Sequence, residues 1–291
     1  MSRSFQCILV AYAVASAMAI AVAYAVGFDH PLAVALAADV AATCVIFAFS
    51  FAFDNASFYD AYWSAVPPVL GVYWIANSDL SAADVTRQWV VLGLVTVWAV
   101  RLTYNWSRWW NGLEHEDWRY VDFRGRTGRA YWLVAFAGIH LFPTLWVFAG
   151  CLPLYVALAA GSAPFGALDW LATAVTSAAI ALEARADREL FDFRQSRPAP
   201  QQTLVTGLRR YCRHPNYLGE MGFWWGLFLF GLSAAPSWWW TGVGAASITL
   251  MFRFVSLPLI EAHMRERRPD YAVHAEHTPM LIPRPPRRSA S

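Results

Sequence analysis

FQCILVAYAVASAMAIAVAYAVG, residues 5–27, contains no acidic or basic side chain. A helix needs roughly 20 consecutive apolar residues to cross the hydrocarbon core of a bilayer, so this stretch predicts a spanning helix. The apolar region of a secretory leader is shorter, which argues against one here. Comparable runs recur at 31–53, 62–77, 88–104, 130–160, 166–183, 217–234 and 238–258. Of these, 62–77 and 217–234 are marginal in length, and 130–160 is expected to bend or break near Pro143 and Pro153, because proline lacks the N–H that a helix interior requires. The pattern predicts an all-α, polytopic transmembrane bundle of about seven or eight spans. Residues 1–291 form a single membrane domain, and 284–291, rich in Pro and Arg, are expected to be a disordered tail.

Composition points the same way. Of the 291 residues 58% are apolar and 14% charged, and mean hydropathy is +0.36, leaving too little charge to cover a water-facing surface. The net charge of +2 offers no electrostatic footprint for nucleic acid. Every basic residue apart from histidine is arginine. The absence of lysine excludes Schiff-base chemistry and a phosphate-loop lysine. The 4 cysteines are scattered, without disulfide or zinc spacing, and no histidine pair suggests a metal site.

Arginine placement orients the bundle. Arg3, the 101–129 and 184–215 segments and the tail fall on one side of an eight-span arrangement and hold nearly all the arginines, whereas the opposite loops hold a single one. Positive loops stay cytoplasmic, so both termini are expected there, together with a polar cavity opening to the cytoplasm.

Three clusters carry chemistry. Arg213-His214-Pro215-Asn216-Tyr217-Leu218-Gly219-Glu220 runs into an apolar span and places Glu220 on the face of Asn216. A carboxylate there marks a functional site unless a neighbouring helix pairs it. Glu183, Asp187, Leu190 and Arg194 share another helical face, suited either to gripping a cofactor's polar groups or to i,i+4 ion pairing at a solvated helix end. Glu114 to Tyr120 forms the third, preceded by Trp106, Trp109 and Trp110, whose plainest reading is an interfacial aromatic belt. Asp39 and Arg253 are lone charges within spans.

The block at 213–220 resembles the signature of the membrane steroid 5α-reductase superfamily, most closely its bacterial, largely uncharacterised branch. Trp98 to Arg101, Glu116 to Tyr120, Ala186-Asp187-Arg188 and the stretch from Pro269 to Pro283 are similar too, so the resemblance covers about residues 50–283. It implies NADPH as cofactor, held by Glu183, Asp187, Arg194, Asn216 and Glu220, with Arg213, His214 and Arg119 as further phosphate ligands. Glu183 stands where that family has Asn. The resemblance also implies a catalytic acid at Asp60, seven residues before Pro67, with Trp98 replacing a family Tyr that polarises the substrate carbonyl. The implied activity is reduction of an activated C=C bond in an apolar, lipid- or steroid-like substrate entering from the bilayer of a bacterial inner membrane. Two other readings fit parts of the pattern: an S-adenosylmethionine-dependent methyltransferase of the isoprenylcysteine type, which shares the Arg-His-Pro element, and a non-catalytic lipid-binding protein of the same fold.

Overall fold

The computed structural model describes residues 3–78, 83–199 and 202–285; most of the tail expected to be disordered lies outside them. Among the described residues all regular structure is helical. α1 (Arg3–Ala25) and α2 (Pro31–Ala52) pack together as a hairpin. A 3₁₀ turn, Ala56–Tyr59, is capped by the Asn55 side chain and leads into α3 (Tyr62–Ala76), which packs on α4 (Val85–Trp109). The amphipathic α5 (Trp118–Thr127) opens a column built from α6 (Tyr131–Ala135), a π-helical stretch at Phe136–Leu141, α7 (Phe142–Gly150), α8 (Leu152–Tyr155) and a second π stretch, Val156–Ala160. α9 (Ala167–Gln195) and α10 (Pro215–Ala234) form the most extensive pair. α11 (Gly242–Met251), a π stretch at Phe252–Ser256 and α12 (Leu257–Arg267) make the last column, closed by the short α13 (Asp270–His277).

Among the described residues six helical columns are long and apolar enough to cross a membrane: Arg3–Ala25, Pro31–Ala52, Val85–Trp109, Trp118–Ala160, Ala167–Gln195 and Pro236–Arg267. The expected seven or eight spans are therefore six by this measure. α3 and α10, the two stretches read as marginal, are helical but fall outside the set, α3 because it has only 15 residues. The break expected in 130–160 is present. Pro143 and Pro153 lie in the first turns of α7 and α8, beside the Phe136–Leu141 π stretch and the turn at Cys151, where the backbone ladder gives up its regular spacing.

The two ends of the bundle differ. At one end the arginine-bearing segments meet: Asn55 donates to the carbonyls of Leu113 and His115, the backbone N–H of Ala56 donates to Glu116, Arg124 pairs with Asp54, and Trp109 packs on Phe191. The other end is tied by a buried ion pair. Arg87 donates through Nε and Nη2 to the Asp169 carboxylate at 2.7 and 2.9 Å, and also to the carbonyls of Ala163 and Pro164. The single arginine of the opposite loops is therefore a fully buried strut and not a loop charge.

Helices approach closely where glycine removes the side chain, since in lipid packing substitutes for hydrophobic drive. A Cβ on Gly244 of α11 would lie 2.0 Å from the carbonyl oxygen of Ala149 on α7, whereas one on Gly93 of α4 would meet nothing within 4 Å. Gly244→Ala is expected to lower stability by about 1–3 kcal/mol through overpacking. Gly93→Ala should raise it by up to about 1 kcal/mol, because Ala is the better helix former. Thermal unfolding of detergent-purified variants checks the opposite signs.

Candidate functional site

α4, α9 and α10 bring one guanidinium among three carboxylates. Arg101 pairs with Glu183, binds Asp187 at 2.6 Å and lies 4.0 Å from Glu220. Trp98, one turn earlier on α4, donates its indole N–H to Glu220 at 3.1 Å, and Trp224 donates to the other oxygen of the same carboxylate at 3.0 Å. The Trp98 ring stacks on Phe223 with centroids 4.4 Å apart. Glycine at 219 permits this geometry, because a Cβ there would sit 2.4 Å from Glu183 Cγ. Glu183, Asp187 and Glu220 thus converge as the helical spacings imply, around Arg101, whose role the sequence reading missed. Trp98, expected beside the catalytic acid, belongs to this group, with its N–H committed to Glu220.

Asp60 lies in a second group. It follows the 3₁₀ turn, and its Oδ1 accepts a hydrogen bond from the Tyr120 hydroxyl at 2.6 Å. Burial pushes its pKa up to about 6, against the Tyr120 bond and the charge of Arg119, which hold it down. Arg119 donates to both oxygens of Asp117, whose side chain also caps α5. Tyr217, on the first turn of α10, is within electrostatic reach of Arg119, Asp117 and Glu220 and so lies between the two groups. Tyr120 had no assigned role in the sequence reading, although it closes the quoted Glu116–Tyr120 block. Glu116 of that block is engaged by the N–H of Ala56, by Arg124 and by Tyr131.

Arg213 and His214 are structural. The Arg213 guanidinium makes two bonds to Glu261, at 2.8 and 3.0 Å, and donates to the carbonyls of Ala275 and Thr278. His214 Nε2 lies 2.7 Å from the same carboxylate, and the Tyr271 hydroxyl donates to it at 2.6 Å. The backbone N–H groups of 213 and 214 bond Pro279 and Met280. Expected as phosphate ligands, both residues have their donors taken up here in fixing the segment after α12 to the start of α10. Arg119 is likewise held by Asp117, away from the Glu183 group.

Arg194 has different company. Its guanidinium lies over the Trp109 ring, 4.7 Å from the centroid, and no carboxylate pairs with it among the described residues. Arg268 and Arg209 are its charged neighbours. Burial pushes the Arg209 pKa down, against the pull of Asp187 and Glu189. Arg194, Arg209 and Arg268 make no salt bridge among the described residues, although Asp187 and Glu189 lie within electrostatic reach of Arg209; guanidiniums so placed can take anionic oxygens such as phosphates. Between this group and Arg101, the buried Arg101 Nε, Asn105 Oδ1 and Glu183 Oε1 have no partner among the described residues. The partly buried Asn216 stands one turn before Glu220. Orphaned buried donors and acceptors near arginines that make no salt bridge among the described residues leave Asp187, Arg194, Arg209 and Asn216 as groups that could hold a polar, anionic ligand. Trp109 lies under Arg194, while Trp106 and Trp110 pack on Phe5 of α1, and all three remain partly exposed.

A family model described as protein of unknown function (DUF1295) matches residues 46–278. The chain belongs to this family. The family is related to steroid 5α-reductase-like membrane proteins, and every group described above falls within the matched segment or at its edge. The uncharacterised protein C594.04c of Schizosaccharomyces pombe is 29% identical over 253 residues, covering 79% of this chain and 73% of that protein. No solved structure matches the chain.

The Glu261 network makes a prediction distinct from the anion pocket. Arg213→Ala strands a buried carboxylate and should cost about 3–5 kcal/mol, with faster proteolysis of the segment after α12. Arg194→Ala leaves no acid unpaired and should leave unfolding unchanged within about 0.5 kcal/mol. Thermal melts and limited proteolysis of the two variants separate these roles.

Proposed function

We propose that the protein is a membrane-embedded, NADPH-dependent reductase of an activated C=C bond, conjugated to a carbonyl, in an apolar lipid- or steroid-like substrate. The observation that carries this reading is the Asp60–Tyr120 pair, a partly buried carboxyl held by a phenol at 2.6 Å, at the same arginine-rich end of the bundle as Arg194 and Arg209, which make no salt bridge among the described residues. When bound, NADPH supplies the hydride; Arg194 and Arg209 hold its phosphates, while Asp187 and Asn216 hold its ribose and amide. Glu183 is tied to Arg101 and fixes the wall of the site. Asp60 in its acid form donates a hydrogen bond to the substrate carbonyl and stabilises the enolate charge that develops there. Tyr120 orients that carboxyl and, by bonding its ionised form, sets the pH at which its proton is held. The apolar substrate reaches the site from the bilayer.

In this reading the arginine-rich end faces the cytoplasm, as do both termini, and α3 and α10 complete an eight-crossing bundle. The plasma membrane of the cell is the expected location. The methyltransferase reading is supported by the Arg-His-Pro element at 213–215 and by the similar tail, and the Arg213 and His214 of that element are engaged by Glu261.

Three outcomes follow. NADPH, but not S-adenosylmethionine, is expected to raise the melting temperature of detergent-purified protein by mass action. Arg194→Ala should weaken that effect by about 1.5–3 kcal/mol of binding energy, the worth of one hydrogen bond to a charged group. Stabilisation by S-adenosylmethionine alone would overturn the reading.

With a panel of apolar enones, Asp60→Asn should lower kcat for NADPH oxidation by about 10²-fold or more while leaving the thermal effect of NADPH intact. The sign of the pH dependence follows from the raised pKa. The acid form is populated below about pH 6, so kcat is highest there and falls as pH rises through 6. Tyr120→Phe removes a bond that favours the ionised form, so the falling limb should move to higher pH. Reporter fusions at residue 291 and in the 161–165 loop should report opposite sides of the membrane; the same side for both would refute the eight-crossing arrangement.

A further inference from the structure

A second concavity lies away from the arginine-rich end. α1, α2 and α3 enclose a pocket of about 270 Å³ whose wall is almost entirely apolar, with Ala35, Ala38, Ala65 and Leu70 among its lining residues. Asp39 interrupts that wall. Its side chain is 5% exposed, its Oδ1 accepts from the Tyr62 hydroxyl at 3.0 Å, and its Oδ2 has no partner among the described residues. Tyr12 also lines the pocket, but its hydroxyl is committed to the carbonyl of Phe58 at 3.0 Å.

Depth makes the orphaned oxygen informative. Asp39 sits about 12 Å along α2, a helix of about 33 Å, so it lies well inside the span, beyond the reach of headgroups. A carboxyl group at that depth requires a partner, and Tyr62 provides only one donor. The pocket is also accessible from lipid, because Ile20 and Val69 on its rim are 59% and 67% exposed.

We propose that this pocket binds a neutral apolar alcohol that enters from the bilayer and hydrogen-bonds Asp39 Oδ2 through its hydroxyl. A hydroxyl donates to an ionised carboxylate and accepts from a protonated one, so it satisfies Asp39 in either state. A carbonyl matches only the protonated state, and an anionic headgroup matches neither the depth nor the sign of the charge. At about 30 Å³ per water-sized group the pocket takes roughly nine non-hydrogen atoms. The remainder of a longer chain would leave between Ile20 and Val69 into lipid. The proposal stands independently of the reductase reading, since neither Asp60 nor the arginine group takes part in it.

The test uses the full chain in nanodiscs with three photoreactive probes: a diazirine-bearing hexadecanol, the same chain ending in methyl, and a diazirine phosphatidylglycerol. The alcohol is expected to label peptides of α1–α3 roughly tenfold more than the methyl-ended chain, the factor one hydrogen bond to a charged group provides. Ala38→Leu, which fills the pocket, should remove the excess. Asp39→Leu should abolish the preference for hydroxyl over methyl, and Asp39→Asn, which keeps an acceptor and a donor, should restore part of it. Equal labelling of wild type by alcohol and methyl-ended chain would overturn the proposal without recourse to any variant. So would an alcohol preference that survives Ala38→Leu, or labelling of these peptides by phosphatidylglycerol alone.

Discussion

Arg101 is the charge on which the arginine-rich half of the bundle depends. Glu183 and Asp187 on α9 and Glu220 on α10 point at the same small volume, and without a cation the closest helix pair in the molecule would carry unbalanced acids across its contact. In a medium of low dielectric such an arrangement is unfavourable by several kcal/mol per uncompensated charge. The guanidinium suits the position because its planar fork serves two carboxylates at once, which a compact ammonium does with less directionality. The indoles of Trp98 and Trp224 then occupy both oxygens of Glu220. A polar centre is thus closed on its apolar side by aromatic rings and left unfinished toward Asn105 and Arg194.

The two ends of the molecule follow from the same constraint, applied with opposite results. Polar groups within a bilayer must be satisfied inside the protein. At the far end Arg87, Asp169 and Ser233 achieve this fully: each Asp169 oxygen accepts from Arg87, and Ser233 and the N–H of Gly166 add further donors. That end is a clamp. At the arginine-rich end buried donors and acceptors remain over, and Arg194 adjoins Arg209 and Arg268 with no salt bridge among the described residues. A protein can hold such a surplus only where water or a polar ligand completes it, which is why the candidate chemistry belongs at that end and the clamp at the other.

Much of this was legible in the chain. The uncharged stretch 5–27 gave the extent of α1 to within two residues at each end, because apolar length alone decides a lipid-facing helix. Where charges enter, the reading fell short. The span expected at 88–104 runs from Val85 to Trp109, where packing of Arg108 on Phe191 carries the helix beyond its apolar core, whereas the one at 166–183 continues, as the helical face of Glu183 to Arg194 implies, to Gln195. Helical spacing correctly joined Glu183 to Asp187, and Asn216 to Glu220. It had no means of showing that Arg101 would meet them, nor that Glu261, 48 positions after Arg213, would take up Arg213 and His214. Contacts between distant helices are set by tertiary packing, and periodicity is blind to it.

The residues that depart from the reductase pattern become intelligible as a pair. Trp98 stands in place of a phenol and Glu183 in place of an amide, and both face the Arg101 group. Glu183 adds an acid, which the guanidinium balances, while the Trp98 indole offers a donor with no acceptor lone pair or proton to release. Together they turn this part of the wall from a proton-exchanging surface into a fixed, donor-lined one. A phenol is nevertheless present nearby, at Tyr120, bonded directly to Asp60 and reaching it from α5 rather than α4. On that geometry Asp60 and a phenol from α5 lie together, and Arg119, the residue before Tyr120 on α5, provides positive charge within electrostatic reach of Asp60.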